Sequence, residues 1–431
     1  MRGVALCLGM LCWAVSAVAG EFFQLTGHGG PIKGIAVSPD GGAILTASFD
    51  NSVGLWRDQA PQWLEGHEAA VNSVAFLTNT AAVSAGDDFA VRLWNLETGQ
   101  SQILGHHKGK VMSLRVAPDG KAFASASWDG TVGLWSLQGA APRFLEIGSN
   151  VNDVAFAEGG TALFTASSDG KIRLYDTQSG DLRQLFLSNG FGVNTLVLRE
   201  ELGWLAFGAV DGVTKVISLK SAELIKDITL ERRPILAMAA SPMGDHLAVG
   251  DGEGYILMLN TADWTIANDI KATHRGPIWA LAFSADGENI HAGGLDEAMF
   301  SWPLSDPEDA PRMVAEGRDF LNGNDSGSNG ERQFQRKCSI CHTLTGDSAR
   351  RAGPTLKDVF GRQAGTVSDY SYSETLLTSD VVWTDQTIDA LFDLGPDVYI
   401  AGTKMPVQRI TRAEDRADLI AYLRLYSDIE D

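Results

Sequence analysis

The stretch Ser125-Ala126-Ser127-Trp128-Asp129-Gly130-Thr131-Val132-Gly133-Leu134-Trp135 decides how most of this chain folds. Asp-Gly stands between two short, largely apolar runs, which is how a tight turn between paired strands reads. The arrangement returns in Ala47-Ser48-Phe49-Asp50-Asn51-Ser52-Val53-Gly54-Leu55-Trp56. The terminal Trp position recurs at Trp56, Trp94, Trp135, Tyr175, Ile217, Leu259 and Trp302, in steps of 38, 41, 40, 42, 42 and 43 residues. The Asp six residues earlier recurs at Asp50, Asp88, Asp129, Asp169, Asp211 and Asp296, with Glu253 in the sixth unit. Self-similarity at a fixed period of this length marks a repeat architecture.

Each unit holds short apolar runs split by Gly, Asp and Pro, enough for four strands. A four-stranded sheet with two apolar faces cannot stand alone. Arranging seven of them radially buries the faces and leaves only short edges. Over roughly residues 21–304 the chain resembles the WD-repeat β-propeller family. That resemblance implies a buried set of His, Ser or Thr, Asp and Trp bonded across each blade. The set reads as complete in blade one (His28, Ser48, Asp50, Trp56) and blade three (His107, Ser127, Asp129, Trp135). Blades two and seven keep His67 and His274 but have Gly86 and Gly294 at the assigned Ser position, and blades four to six lack the His. Those middle blades are therefore expected to be less regular. Gln24-Leu25-Thr26-Gly27-His28 matches Trp63-Leu64-Glu65-Gly66-His67, the outer strand of blade one. The segment from Phe22 to Thr26 should then supply the outer strand of blade seven.

Ahead of this, Arg2, an apolar run from Val4 to Val15, and Ala17-Val18-Ala19 read as a signal peptide cleaved after Ala19, with a retained anchor as the alternative. The run is too short for a membrane span, which needs ~20 residues. The mature chain, with no integral membrane segment, is expected in the periplasm. Cys7 and Cys12 leave with the leader, so only Cys338 and Cys341 remain. The expected order is a signal peptide at 1–19, a seven-bladed all-β propeller at 20–304, a flexible linker at 305–329 and a small all-α domain at 330–431. The linker reading rests on N-G-N-D-S-G-S-N-G at 322–330, which cannot bury anything.

Cys338-Ser339-Ile340-Cys341-His342 follows. C-x-x-C-H is a haem attachment signature. Two thiols three residues apart on one helical turn can reach the two vinyl groups of one haem edge, and the next residue presents an imidazole to the iron. Zinc would want a second ligand pair, and a redox dithiol a thioredoxin-like βαβ setting. The sequence offers neither.

Around the motif, over about 326–428, the chain resembles class I cytochromes c of the mitochondrial and α-proteobacterial type. The resemblance is carried by Gly330, Phe334, Gly353-Pro354-x-Leu356, Phe360-Gly361-Arg362, Tyr370-Ser371-Tyr372, Trp383, Tyr399-Ile400-Ala401-Gly402-Thr403-Lys404-Met405 and Asp418–Leu423. It implies one covalent haem c held by Cys338 and Cys341, with His342 and Met405 as axial metal ligands. The Pro354 carbonyl should accept the His342 Nδ1–H. Arg362, Tyr372, Trp383 and Thr403 should surround the propionates. Leu391 stands where the family usually has a Tyr, and Ala401 replaces a frequent Pro.

With 34 basic and 54 acidic residues, the net charge of −20 excludes nucleic acid as a natural partner. With both axial positions filled, the resemblance implies a single-electron carrier with no catalytic residues. Its partners would be protein donors and acceptors. These would dock through the propeller face at Phe49, Trp128, Trp279 and Leu295, or through haem-edge bases Lys337 and Lys404, with Arg336 and Arg350 nearby. A redox-responsive scaffold and a haem enzyme of nitrite reductase or peroxidase type are the alternatives.

Overall fold

The computed structural model describes residues 20–305, 328–339, 341–346, 351–370, 372–405 and 408–427. The leader at 1–19, most of the linker at 305–329, and Arg350 lie outside these residues, as does the side chain of Arg336.

Among the described residues, twenty-eight strands form seven sheets of four. In blade one, Ile32–Val37 is innermost, followed by Ile44–Ser48, Ser52–Arg57 and, outermost, Ala60–Glu65. All neighbours are antiparallel, and Thr46 faces Gly54 while Ile44 faces Trp56. Blade seven is closed by the first strand of the chain. Phe23–Thr26 pairs with Ala298–Pro303, with Leu25 opposite Met299. The closure expected from the repeated Leu-x-Gly-His is therefore present.

Apolar side chains fill the space between successive blades. Leu45, Ala47, Val53, Leu55 and Leu64 of blade one meet Val71, Val74, Phe76 and Ala82 of blade two. One contact repeats around the ring with compensating sizes. Ala47, Ala85, Ala126 and Ala166 share their clusters with Val71, Val111, Val151 and Val193 of the next blade. Where the next blade offers the larger Ile235, Ile278 or Ile32, the partner is Gly208, Gly250 or Gly293. An added methyl on one side is matched by a lost one on the other, as close packing demands.

The tetrad differs from the sequence reading in one member. In blade one, His28 Nδ1–H donates to Asp50 Oδ2 (2.8 Å), and Nε2 accepts from Oγ1 of Thr46 (2.7 Å), not from Ser48. Trp56 Nε1–H donates to the same Thr46 oxygen (2.8 Å). In blade three the hydroxyl belongs to Ser125, not Ser127. In blade two Ser84 bonds His67 and Trp94, so that blade is complete and Gly86 is no defect. Ser48 and Ser127 instead donate to the carbonyls of Gly30 and Gly109, tying down the entry loops. Blade seven has Ala292 at the hydroxyl position, and its Trp302 donates to Ala272 O (3.2 Å). Burial raises the Asp50 carboxyl, but the His28, Ser52 and Gly29 bonds outweigh it and hold the group below its usual value.

Blades four to six, expected to be irregular, keep four strands each. Packing of Phe164, Phe186, Leu205 and Phe207 between blades four and five supplies what the missing His does not. The residue before each turn Asp varies in exposure. Trp128 is 42% exposed and its indole donates to Asn152 Oδ1. Phe49 and Leu295 are half-buried, and the Phe49 ring stacks on Trp279 at 5.4 Å.

The C-terminal part holds helices α1 (Asn329–Lys337), α2 (Glu374–Leu377), α3 (Asp385–Leu394), α4 (Pro396–Tyr399) and α5 (Ala413–Tyr426). Ser328 caps α1 by accepting from Glu331 N–H. The helices α1 and α5 cross at Gly330, where a Cβ would collide with the Asp418 carbonyl. Phe334 lies on Tyr422, ring centroids 5.5 Å apart.

Candidate cofactor site

The α1–α5 crossing fixes where α1 ends. Cys338 N–H donates to Phe334 O (2.8 Å), and His342 N–H to Cys338 O (2.9 Å), so the chain keeps a helical turn past Lys337. That turn points Cys338, Cys341 and His342 into one apolar cavity. It encloses about 1080 Å³ of space between atoms, mouth included. Small-molecule sites span ~300–1,000 Å³. All nine residues expected at the cofactor line it: Cys338, Cys341, His342, Pro354, Arg362, Tyr372, Trp383, Thr403 and Met405. Lys337 and Lys404 are also on its wall.

The imidazole of His342 is held from two sides. Its Nδ1–H donates to the Pro354 carbonyl at 2.7 Å. Gly353 lies against the ring so closely that any Cβ would overlap it. Burial lowers the His342 pKa, the Pro354 bond opposes this, and the Arg362 charge adds to it. With Nδ1–H given to Pro354, Nε2 meets no hydrogen-bond donor among the described residues. Burial pushes the Cys338 thiol up to about 12 and Cys341 up to about 11, the latter opposed by Arg351. Such thiols stay protonated, unlike the low-pKa pair of a dithiol oxidoreductase.

Met405 packs on the apolar cluster around Phe392 and Ile400, and its N–H donates to Thr403 Oγ1 (3.2 Å). Arg362 directs two N–H groups to the carbonyls of Lys357 and Thr355, both at 2.6 Å, which freezes its guanidinium at the wall. Two residues to which the sequence assigned no role belong here. Tyr370 donates from its hydroxyl to Ala352 O (2.6 Å) and packs edge-on against Tyr372. Ser373 also lines the cavity, and its buried hydroxyl has no partner among the described residues. The Tyr-x-Tyr signal pointed to this segment without separating its members.

A flat apolar cofactor with acidic groups on one edge fits this donor set. The walls are aliphatic and aromatic, two thiols and one imidazole lone pair face the space, and Ser373 is a buried donor lacking an acceptor.

Comparison with known proteins agrees with the two-part reading. The family model "Cytochrome c" matches residues 327–426. The model "WD domain, G-beta repeat" matches 21–57, 60–95, 99–136 and 145–176, covering the blades whose His-Ser/Thr-Asp-Trp sets are complete and part of the fourth. The cytochrome c of Cannabis sativa is 43% identical over 97 residues, which is 22% of this chain and 85% of that protein. That of Gossypium barbadense is 44% identical over the same shares, and that of Theileria parva 40% identical over 22% and 83%. Through its C-terminal helical domain, set behind a WD-repeat propeller, the chain belongs to the cytochrome c family of electron-carrying haem proteins.

Proposed function

We propose that the chain is a periplasmic electron carrier with one haem c, whose propeller holds or selects its redox partner. The observation that carries this reading is the convergence of Cys338, Cys341, His342 and Met405 on one apolar cavity. Cys338 and Cys341 would each add S–H across a vinyl group, giving two thioethers without net oxidation. His342 Nε2 and Met405 Sδ would hold the haem iron, a ligand pair that raises the potential. A bound haem supplies an iron that accepts and releases one electron. The chain's own part is to fix the imidazole through Pro354 and Gly353, exclude water with the Leu356, Ile388 and Leu391 walls, and offer Arg362, Tyr372, Trp383, Thr403 and Ser373 to the propionates. If His342 and Met405 both hold the iron, the chain itself would occupy it, which favours carriage over catalysis. Lys337 and Lys404 at the cavity, with Phe49, Trp128 and Trp279 on the propeller, are the candidate contacts for a protein donor or acceptor. The leader pattern at 1–19 supports export.

Mass spectrometry of the exported, denatured protein tests this. One haem mass should remain on the peptide containing Cys338 and Cys341, with the N-terminus at Gly20. Haem that extracts into acidified organic solvent would overturn it.

A further inference from the structure

The turn after the second strand of each blade obeys a rule that blade seven breaks. The residue following the turn Asp position is Asn51, Phe89, Gly130, Gly170, Gly212 and Gly254 in blades one to six. All six adopt left-handed backbone, with φ between 66 and 90°. Blade seven has Glu297 there, and Glu297 is not left-handed. Asp296 beside it is occupied by its own blade, accepting from His274 N–H (2.8 Å) and Arg275 Nε–H (3.4 Å). The departure thus adds one carboxylate to the face of the ring, on the blade from which the chain runs on to the helical domain. Glu297 is used: Arg351 of the helical domain donates to its Oε1.

Arg351 immediately precedes Ala352 and Gly353, which line the cofactor cavity. Two residues on, Gly353 N–H donates to Cys341 O (2.9 Å) and packs on His342, and Ala352 O between them accepts from Tyr370. The side chains of Arg351 and Glu297 are 20% and 34% exposed, so the pair is reachable by solvent and breakable. The charge balance runs the same way. Residues 331–362 carry seven bases and three acids, while residues 1–317 carry 21 bases and 36 acids.

We propose that the cytochrome domain docks on the blade-seven face of its own propeller through Arg351 and Glu297, covering the cavity rim at 352–353 from outside partners until the ion pair opens. The inference rests on the electron-carrier reading for its purpose, but the docking itself does not need a bound cofactor. Twenty-three residues separate Leu304 from Ser328 in the sequence, enough to span roughly 80 Å at full extension. Exposed ion pairs are weak and salt-sensitive, which suits a latch that partners must displace.

Small-angle scattering of the full chain at low salt should show one compact particle. Glu297→Lys, Glu297→Gln and 0.5 M salt should each increase the radius of gyration. The charge swap Glu297→Arg with Arg351→Glu should restore the compact form. Identical profiles for wild type and both Glu297 variants would overturn the proposal, as would a swap that stays expanded. On the haem-loaded chain, reduction by a neutral hydroquinone should quicken roughly 1.5- to 5-fold in Glu297→Lys, the span expected for an exposed pair. An unchanged rate beside an expanded profile would retain docking and overturn the covering of the rim.

Discussion

Gly293 of blade seven lies directly under Ile32 of blade one, where a Cβ would stand 2.6 Å from Ile32 Cγ2. This is the contact across which the ring closes on itself, and it leaves no room for a side chain at 293. Gly293→Ala should therefore destabilise the propeller by about 1–3 kcal/mol through overpacking. Ile32→Val alone should lose about 0.5–1.5 kcal/mol. Valine keeps Ile32 Cγ2 and Cβ, the atoms nearest an added methyl at 293, so the double variant should lose the sum of the two single changes. Thermal or denaturant unfolding of the three variants checks this, and a double variant more stable than Gly293→Ala would show that the strain is relieved through the Ile32 Cδ1 methyl instead.

The placement of the tetrad hydroxyl gives a second test. Thr46→Val keeps the shape of the side chain but leaves His28 Nε2 and Trp56 Nε1 buried without their shared partner. A loss of about 2–4 kcal/mol should follow, since each stranded group forfeits ~1–3 kcal/mol. Ser48→Ala removes the bond to the Gly30 carbonyl and the one accepted from Asp50 N–H, and should lose about 1–2 kcal/mol. The two rank in the opposite order if Ser48 holds the His.

His291 is 2% exposed on the second strand of blade seven, bonded through Nδ1 to Ser301 Oγ at 3.1 Å. Burial lowers its pKa from 6.5 to about 4, opposed by the Asp286 charge. The unfolded chain therefore binds the proton more readily. Stability contributed by the neutral ring is full above pH 6.5 and is lost as pH falls toward 4. The whole effect is about 3 kcal/mol, taking ~1.4 kcal/mol per unit. The difference in unfolding free energy between wild type and His291→Gln should shrink over that window. A difference constant from pH 7 to 4 would show that His291 stays unprotonated in both states or charged in both.

Met405→Ala should leave haem attached through Cys338 and Cys341 while removing the sixth ligand. The potential should fall and the far-red band of the oxidised form should vanish. Equilibrium redox titration and absorption spectra check both, and unchanged values would assign the ligand elsewhere.

Much of this was legible because it is written locally. The thiols and the imidazole that share the cavity sit within five consecutive residues, 338–342, so one helical turn determines their convergence. Ring closure was legible because the first strand repeats the outer strand of blade one. The tetrad hydroxyl was misassigned for a definite reason. Thr46 and Ser48 are two apart on one strand and so face the same side. Alternation cannot choose between them; the cross-strand register does, by placing Thr46 opposite Gly54, whose missing side chain leaves room for His28 and Trp56. Glu297 was invisible as a contact because its partner lies 54 residues away in another domain. Ser373 went unnoticed because a lone serine in a polar-looking segment carries no periodic signal.

The strand that closes blade seven has a consequence for how the protein is made. Phe23–Thr26 is the first strand of the propeller to be synthesised, yet its partner Ala298–Pro303 is among the last. The strand must wait, unpaired, while six blades assemble behind it, and until then the ring has two open edges able to capture another nascent copy. Pairing across such a sequence separation is slow to nucleate. Deletion of Phe23–Thr26 would therefore do its damage at the opposite end of the propeller, in the blade from which the chain runs on to the cytochrome.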